Sequence, residues 1–308
     1  MTLQQLEYIV ALDNFRHFVK AAEYCFVTQP TLTMQVQKLE EEMGMKIFDR
    51  SRKPLKPTLA GEQVLIKARQ IVREVEQLKA LVHDEVESME GTFTLGVIPT
   101  LSPYLVPLFI AEFTRANPKT HLRIKEMQTA DIIHHLKQGT IDLGLLVTPL
   151  EERVIREVPI FYEPFLLYLP EGHALQGEIK IIADDLDPQE VLVLEEGHCF
   201  REQALAVCSS RGEGMPLGFE YQSGSIEALK ALVDRGIGYT LVPELSVIND
   251  LGSSQIRRFF EEPVREVSIV VHNSFTKEAL LERLRDKIQD AVPEDFTKKK
   301  KYVRVKWR

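Results

Sequence analysis

The chain has only three cysteines in 308 residues, Cys25, Cys199 and Cys208. So few exclude the disulfide framework of a small secreted scaffold and leave room for a transient redox pair. No apolar run approaches the roughly 20 residues of a membrane span. The start, MTLQQLEYIV, lacks the basic head and long apolar core of a signal peptide. A cytoplasmic location without membrane contact is therefore expected. There is no internal repeat, no glycine-rich phosphate loop and no Ser-His-Asp order. His198, Cys199 and Cys208 offer at most three ligands without paired zinc spacing. The His134-His135 dipeptide reads as a surface feature of a helix, with its rings pointing in different directions. Neither a metal nor a cofactor is implied.

What is present is a soluble composition, 44% hydrophobic and 27% charged, in a length that suits about two domains. The net charge of −8 argues against a generic nucleic-acid coat. It hides an asymmetry, because residues 298–308, KKKKYVRVKWR, carry seven cations, and such a tail is expected to be a disordered, solvated end. Contact with DNA must therefore come from local basic patches on an acidic body.

One stretch organises the rest. Residues 197–208, GHCFREQALAVC, hold two cysteines nine positions apart. Cys199 sits beside His198 and two residues before Arg201, and such neighbours favour the reactive thiolate. The Ala-, Leu-, Gln- and Glu-rich run that follows predicts a helix, with Cys199 near its N-terminus, where backbone amides stabilise an anion. Two buried cysteines acting as small apolar side chains explain the same residues. Cys25 is assigned to the core.

Residues 1–57 read as a winged helix-turn-helix. Leu3, Leu6, Tyr8, Ile9 and Leu12 have helical spacing, a short second helix follows from Phe18 to Cys25, and Thr28 and Pro30 suit the start of a third helix. In that helix Leu32, Val36 and Leu39 form the apolar face. Thr28, Gln29, Pro30, Thr31, Thr33, Gln35 and Lys38 lie at its start or on the opposite face, whose polar set can read base edges and bind phosphates; a solvated face is the plain alternative. The following GMKIFDRSRKPLKPT predicts a basic wing, with Arg50 and Arg52 on the phosphate backbone. From 58 to 90 one long helix is expected, with Ala68, Ile71, Val75, Leu78, Val82 and Met89 as an apolar seam that needs a partner.

Beyond Gly91, strand and helix patterns alternate in βαβ order: strands at 92–98, 120–127 and 141–147, helices at 103–115 and 129–138. A second cycle places strands near 165–169, 191–195, 217–221 and 237–242, a helix at 225–235, then a strand at 266–272 and a closing helix from Thr276 to about Ala291. The pattern predicts two lobes, 91–161 plus 268–297 and 162–267, with 298–308 as the tail.

Three segments carry a resemblance. GHCFREQALAVC resembles the signature of the OxyR-type hydrogen-peroxide sensors, a branch of the LysR family of bacterial transcriptional regulators. VTQPTLTMQVQKLEEEMGMKIFDR resembles the LysR DNA-binding signature, and VDRGIGYTLVPELSV an element of the effector domain of that family. The implied fold is α/β: an N-terminal winged helix-turn-helix, a long dimerising linker helix and a two-lobed, periplasmic-binding-protein-like effector domain. The resemblance further implies that Cys199 reacts with peroxide and Cys208 resolves it as a reversible disulfide. It places Thr100, Thr129 and His198 in the peroxide pocket and Arg265 near Cys199. It also implies a homodimer or homotetramer on double-stranded promoter DNA, RNA polymerase as partner, and thioredoxin or glutaredoxin as reductant. Two rivals remain: a LysR-type regulator of a small organic effector held between the lobes, and a thiol peroxidase enzyme. The second leaves the N-terminal 57 residues without a role.

Overall fold

The computed structural model describes residues 1–80, 89–187, 189–208, 223–298 and 303–305. Helix α1 (Leu3–Phe15) starts at a capping box, in which Thr2 Oγ1 accepts from Gln5 N–H and Gln5 Oε1 accepts from Thr2 N–H. It packs on α2 (Phe18–Tyr24) and α3 (Gln29–Met43). Thr28 caps α3, Pro30 occupies its first turn, and Gly44 closes it at φ +67°. Leu32, Val36 and Leu39 are fully buried against Leu6, Ile9, Leu12 and Ala21, which fixes the polar side of α3 outward.

The wing is the antiparallel pair β1 (Phe48–Asp49) and β2 (Lys56–Pro57). Its anchor is Glu40, buried at the end of α3. The Glu40 carboxylate accepts from Ile47 N–H at 2.9 Å and Phe48 N–H at 3.2 Å, and it pairs with Lys46 at 3.3 Å and Arg50 at 3.0 Å.

Helix α4 (Leu59–Ala80) is capped by Thr58 and leans so closely on the wing that a Cβ at Gly61 would lie 2.0 Å from the Ile47 carbonyl oxygen. Arg69, buried on α4, pairs with Asp13 at 2.7 Å and so ties the helix to α1. The expected seam is therefore divided. Ala68 and Leu65 belong to the core of the N-terminal unit. Met89 is not helical and packs against the effector core, while Val82 lies outside the described residues. Ile71 and Leu78 remain exposed, with Val75 half-buried between them at heptad spacing.

The second region begins with β3 (Gly91–Val97), α5 (Ser102–Ala116), β4 (Thr120–Glu126), α6 (Thr129–Gln138) and β5 (Leu143–Thr148). Strand β3 lies parallel to both β4 and β5, with α5 and α6 as crossovers. Then comes β6 (Ile155–Tyr168), longer than the 165–169 strand expected from sequence because its first ten residues are also in the sheet. The chain continues through β7 (Lys180–Ile181), β8 (Val191–Leu192), α7 (Cys199–Cys208), α8 (Ile226–Val233), β9 (Tyr239–Pro243) and β10 (Ile256–Phe259). Strand β11 (Pro263–His272), α9 (Glu278–Ala291), α10 (Glu294–Thr297) and β12 (Val303–Arg304) complete it. The expected 217–221 strand lies outside the described residues, and β10 was not foreseen.

The sheet runs β4-β3-β5-β11-β6-β10-β7, with β9 on β6 and β8 on β9. The antiparallel pair β6 and β11 is its spine. One end of β6 lies with β11 in the first apolar core, around Phe109, Leu145 and Ile269; the other, from Phe165, enters the second core, around Leu167, Phe200 and Leu241. The tail departs from expectation. Val303–Arg304 pair with β11 as a strand, because Val305 just beyond them has an apolar niche to fill, being 8% exposed within the second core. Among the described residues no helix is long and apolar enough to cross a membrane.

An apolar stripe left on a helix face needs cover. Leu78→Glu is expected to shift the protein from dimer toward monomer in analytical ultracentrifugation at micromolar concentration. Because Leu78 is 63% exposed, the melting temperature should stay within a few degrees. An unchanged dimer would move the contact off this face.

Candidate redox site and nucleic-acid interface

Cys199 is the first residue of α7, reached through Gly197 at φ +92°. A Cβ at Gly197 would lie 2.8 Å from Gln128 Oε1, a side-chain end that can move aside, so it is the backbone conformation that calls for glycine there. Cys208 is the last residue of the same helix. Both thiols are free and buried, Cys199 in the first apolar core and Cys208 in the second beside Phe200 and Ala204. Nine residues of helix separate their Cα atoms by about 13–14 Å, whereas a disulfide needs roughly 4.4–6.8 Å.

Four chain segments converge on Cys199. Thr129, at the start of α6, and the backbone amides of Cys199 and Phe200 lie close enough to the sulfur to favour its thiolate. Thr129 is thus not the cap of α6, a position taken by Gln128. Arg265, fully buried on β11, supplies the positive charge. Its Nη1 donates to Thr100 Oγ1 at 2.9 Å and its Nη2 to Thr100 O at 3.0 Å, while Nε donates to Glu163 Oε2 at 2.9 Å. Glu163, on β6, is fully buried and also accepts from Leu245 N–H at 2.9 Å. His198 is buried, its Nε2 3.6 Å from Glu195 Oε1. Its ring packs against Gly224, where a Cβ would approach Nε2 to 2.7 Å.

The expectation that sequence neighbours favour the thiolate is corrected here. Arg201 turns away and donates to Leu194 O at 2.8 Å. Burial pushes the Cys199 thiol up from its ordinary pKa, and Arg265, Thr129 and the two amides pull against it. The effective cation is thus 66 residues distant in sequence, on another strand. Arg257 and Arg258, its neighbours in sequence, are bound elsewhere, to Gln176 O and to Glu244. The Cys208 thiol is pushed up to about 12 by burial. Glu163 escaped the sequence reading altogether; a lone Glu before Pro164 carries no signal until β6 and β11 pair.

At the other end of the chain Thr28, Gln29, Pro30 and Lys38 are exposed on α3, and Thr31 and Thr33 are partly so. Thr28 Oγ1 and Thr31 Oγ1 lie 2.8 Å apart, and Thr33 donates to Gln29 O at 2.9 Å. Two expected DNA contacts are modified. Gln35 is half-buried and accepts from Gln5 Nε2 at 3.1 Å, so it packs α3 on α1. Arg50 is held by buried Glu40 and lies over the Phe18 ring, so its guanidinium braces the wing. Arg52 is 64% exposed, in an ion pair with Asp49. A concave surface of ≈ 670 Å³ beside the wing is lined by Lys46, Arg50, Arg52 and Lys56 together with Asp49 and Glu62. The His134 and His135 rings, expected to diverge, meet edge to face at 5.7 Å. Cys25 packs partly buried against the DNA-binding core. Among the described residues no group of three or more His, Cys, Asp or Glu could hold a metal ion.

Residues 3–62 match the model of the bacterial regulatory helix-turn-helix protein, lysR family, and residues 87–293 that of the LysR substrate binding domain. The DNA-binding transcriptional dual regulator OxyR of Escherichia coli is 34% identical over 301 residues, 97% of this chain and 98% of that protein. The hydrogen peroxide-inducible genes activator of Haemophilus influenzae is 34% identical over 295 residues, 95% and 97% of the two chains. Among solved structures, a cysteine-to-aspartate form of full-length OxyR from Pseudomonas aeruginosa superposes with a TM-score of 0.81 at 31% identity, covering 95% of this chain and 99% of its own.

Two measurements test these sites. A hydrogen bond to a charged group contributes about 1.5–3 kcal/mol, and one pKa unit is about 1.4 kcal/mol. Thr129→Val should therefore raise the Cys199 pKa by about one unit and slow sulfenic-acid formation at pH 7 about tenfold. In the parent protein the rate should rise with pH through the neutral range, because burial holds the thiol protonated there. An unchanged rate and pH profile in the variant would remove Thr129 from the site. On the DNA side, Gln29→Ala or Thr31→Ala should weaken operator binding by about 1–3 kcal/mol with non-specific binding unchanged. Arg52→Ala should weaken both and lower the log–log salt slope by about one. Identical behaviour of the two classes in gel shifts would overturn the division into helix and wing.

Proposed function

The chain belongs to the LysR family of bacterial transcriptional regulators, in its OxyR branch, and from that premise we propose that it is a hydrogen-peroxide-activated regulator of oxidative-stress genes, switched by a reversible Cys199–Cys208 disulfide. It is a regulator rather than an enzyme. The observation that carries this reading is α7, a single helix with a thiol at each end, one of them set among Thr129, Thr100 and Arg265.

The chemistry follows from that setting. The Cys199 thiolate attacks one peroxide oxygen; the S–O bond forms as the O–O bond breaks, and the departing hydroxide takes a proton and leaves as water. Thr100, Thr129 and His198 are the groups that orient the peroxide and hydrogen-bond the leaving oxygen, and Arg265 balances the negative charge. Cys208 then attacks the sulfenic sulfur, the S–O bond breaks, and a second water departs. Two thiols and one peroxide thus give one disulfide and two waters.

The second step cannot occur on an intact α7, so the helix must unwind. Unwinding withdraws Phe200, Ala204 and Cys208 from the second core and repacks the effector region, and α4 passes the change to the DNA-binding helices. In this reading promoter DNA is the target, a homodimer or homotetramer the assembly, and RNA polymerase the partner on DNA. Thioredoxin or glutaredoxin restores the thiols in the cytoplasm.

Cys199→Ser should abolish the response. Cys208→Ser should form the sulfenic acid, trapped by dimedone, but no bridge. In the parent protein mass spectrometry should find the 199–208 bridge, and amide exchange over 199–208 should rise by at least tenfold on oxidation. Gel shifts on the protein's own upstream DNA should differ between reduced and peroxide-treated protein. A normal response from Cys199→Ser would overturn the reading in favour of a small effector.

A further inference from the structure

Strand β12 sits where no sequence pattern called for a strand. Strand β5 covers one edge of β11 only as far as Glu266, opposite Thr148, which leaves Pro263 and Val264 beyond its end. Strand β12 takes that vacant edge in parallel register, Val303 opposite Pro263 and Arg304 opposite Val264. Val305 N–H then donates to Val264 O at 3.0 Å. The next residue of β11 is Arg265.

The same three residues close on the sensor helix. The Val305 side chain is 8% exposed and belongs to the apolar cluster that holds Phe200, Ala204 and Cys208. The Val305 carbonyl accepts from Gln203 Nε2 at 3.2 Å. Gln203 is fully buried in the middle of α7, and its Oε1 finds no hydrogen-bond partner among the described residues. A buried amide is costly without partners, so the bond to Val305 is a strong constraint on where that side chain can be.

We propose that β11 and α7 together form a docking site for the chain's own C-terminal strand, and that this site exists only while α7 is helical. The proposal rests on the disulfide reading above. Forming the bridge takes two electrons from the thiols to peroxide and unwinds α7, which removes Gln203, Phe200, Ala204 and Cys208 from around Val305. Two paired residues on an open edge do not hold a strand by themselves. The tail therefore leaves on oxidation and returns on reduction. By linkage, a segment that binds one redox state stabilises that state. The docked tail accordingly holds the sensor reduced and sets how much peroxide is needed to switch it.

The single tryptophan, Trp307, lies two residues beyond Val305 and reports on the tail without labelling. Its fluorescence anisotropy should fall when stoichiometric peroxide makes the bridge, recover with dithiothreitol, and stay high in Cys208→Ser, which stops at the sulfenic acid. Val305→Asp in the full-length chain keeps every tail cation while disfavouring the docked strand. It should shift the dithiol–disulfide equilibrium toward the disulfide about tenfold, about 30 mV for this two-electron couple. A chain ending at Tyr302 should shift it in the same direction. A bridge found by mass spectrometry with unchanged Trp307 anisotropy overturns the docking proposal and leaves the disulfide reading intact. Failure to form the bridge at all overturns both. An equal fall in Cys208→Ser overturns the dependence on helix unwinding.

Discussion

A ten-residue helix and a disulfide between its end residues cannot coexist, and this exclusion is the constraint on which the effector region depends. Helix α7 is stabilised by its good helix formers and by Phe200, Ala204 and Cys208 in the second apolar core. Its first thiol belongs to the other core. The bridge must therefore be formed against packing as well as against helix propensity. A continuous adjustment is unavailable, because close-packed cores offer discrete arrangements. In the proposed switch the helix is accordingly an on–off element, and the form seen here is the one with both thiols free.

The charge arrangement at Cys199 follows from burial. Arg265 is 1% exposed at its side chain and Glu163 is fully buried, and neither could stand alone in an apolar interior. Paired, they place a guanidinium beside the sulfur and fix its orientation through Thr100 and Leu245 N–H. The cation faces both the Glu163 carboxyl, which burial pushes up and Arg265 pulls down, and the thiolate of the proposed reaction. When the sulfur loses its charge on oxidation, Arg265 still has Glu163 and Thr100, so the site does not collapse around an unpaired ion. The pair also joins β6, the strand that enters both cores, and β11 to Thr100, in the turn after β3.

At the DNA end a second buried carboxylate does comparable structural work. Glu40 collects the wing amides and Arg50, and Arg69 with Gly61 seats α4 against α1 and the wing. The reading helix, the wing and the start of the linker helix thus form one unit. Arg73 of α4 donates to Leu136 O at the far end of α6, the helix that begins at Thr129. One side chain therefore joins α4 to the helix whose first residue lies beside Cys199.

Patterns with a short period were legible before any coordinates. The 3.6-residue apolar spacing of α1 and α3, the Thr28 cap, the βα alternation from 91 to 147 and the helical run after Cys199 are local, since each is enforced by backbone hydrogen bonding and one buried face. The two cysteines and Arg265 were legible through resemblance to a family signature. What the sequence could not determine is which distant groups share an interior. Glu163, the redirection of Arg201, the structural use of Arg50 and Gln35, and the division of the α4 seam all depend on contacts between elements far apart in the chain. The tail makes the contrast plainest: its charge density indicated a solvated end, whereas the vacant edge of β11 and the apolar niche beside α7 draw Val305 inside. Charge and hydropathy are properties of a segment, but the free energy of burying that segment depends on the surface that receives it, and only the tertiary structure supplies that surface.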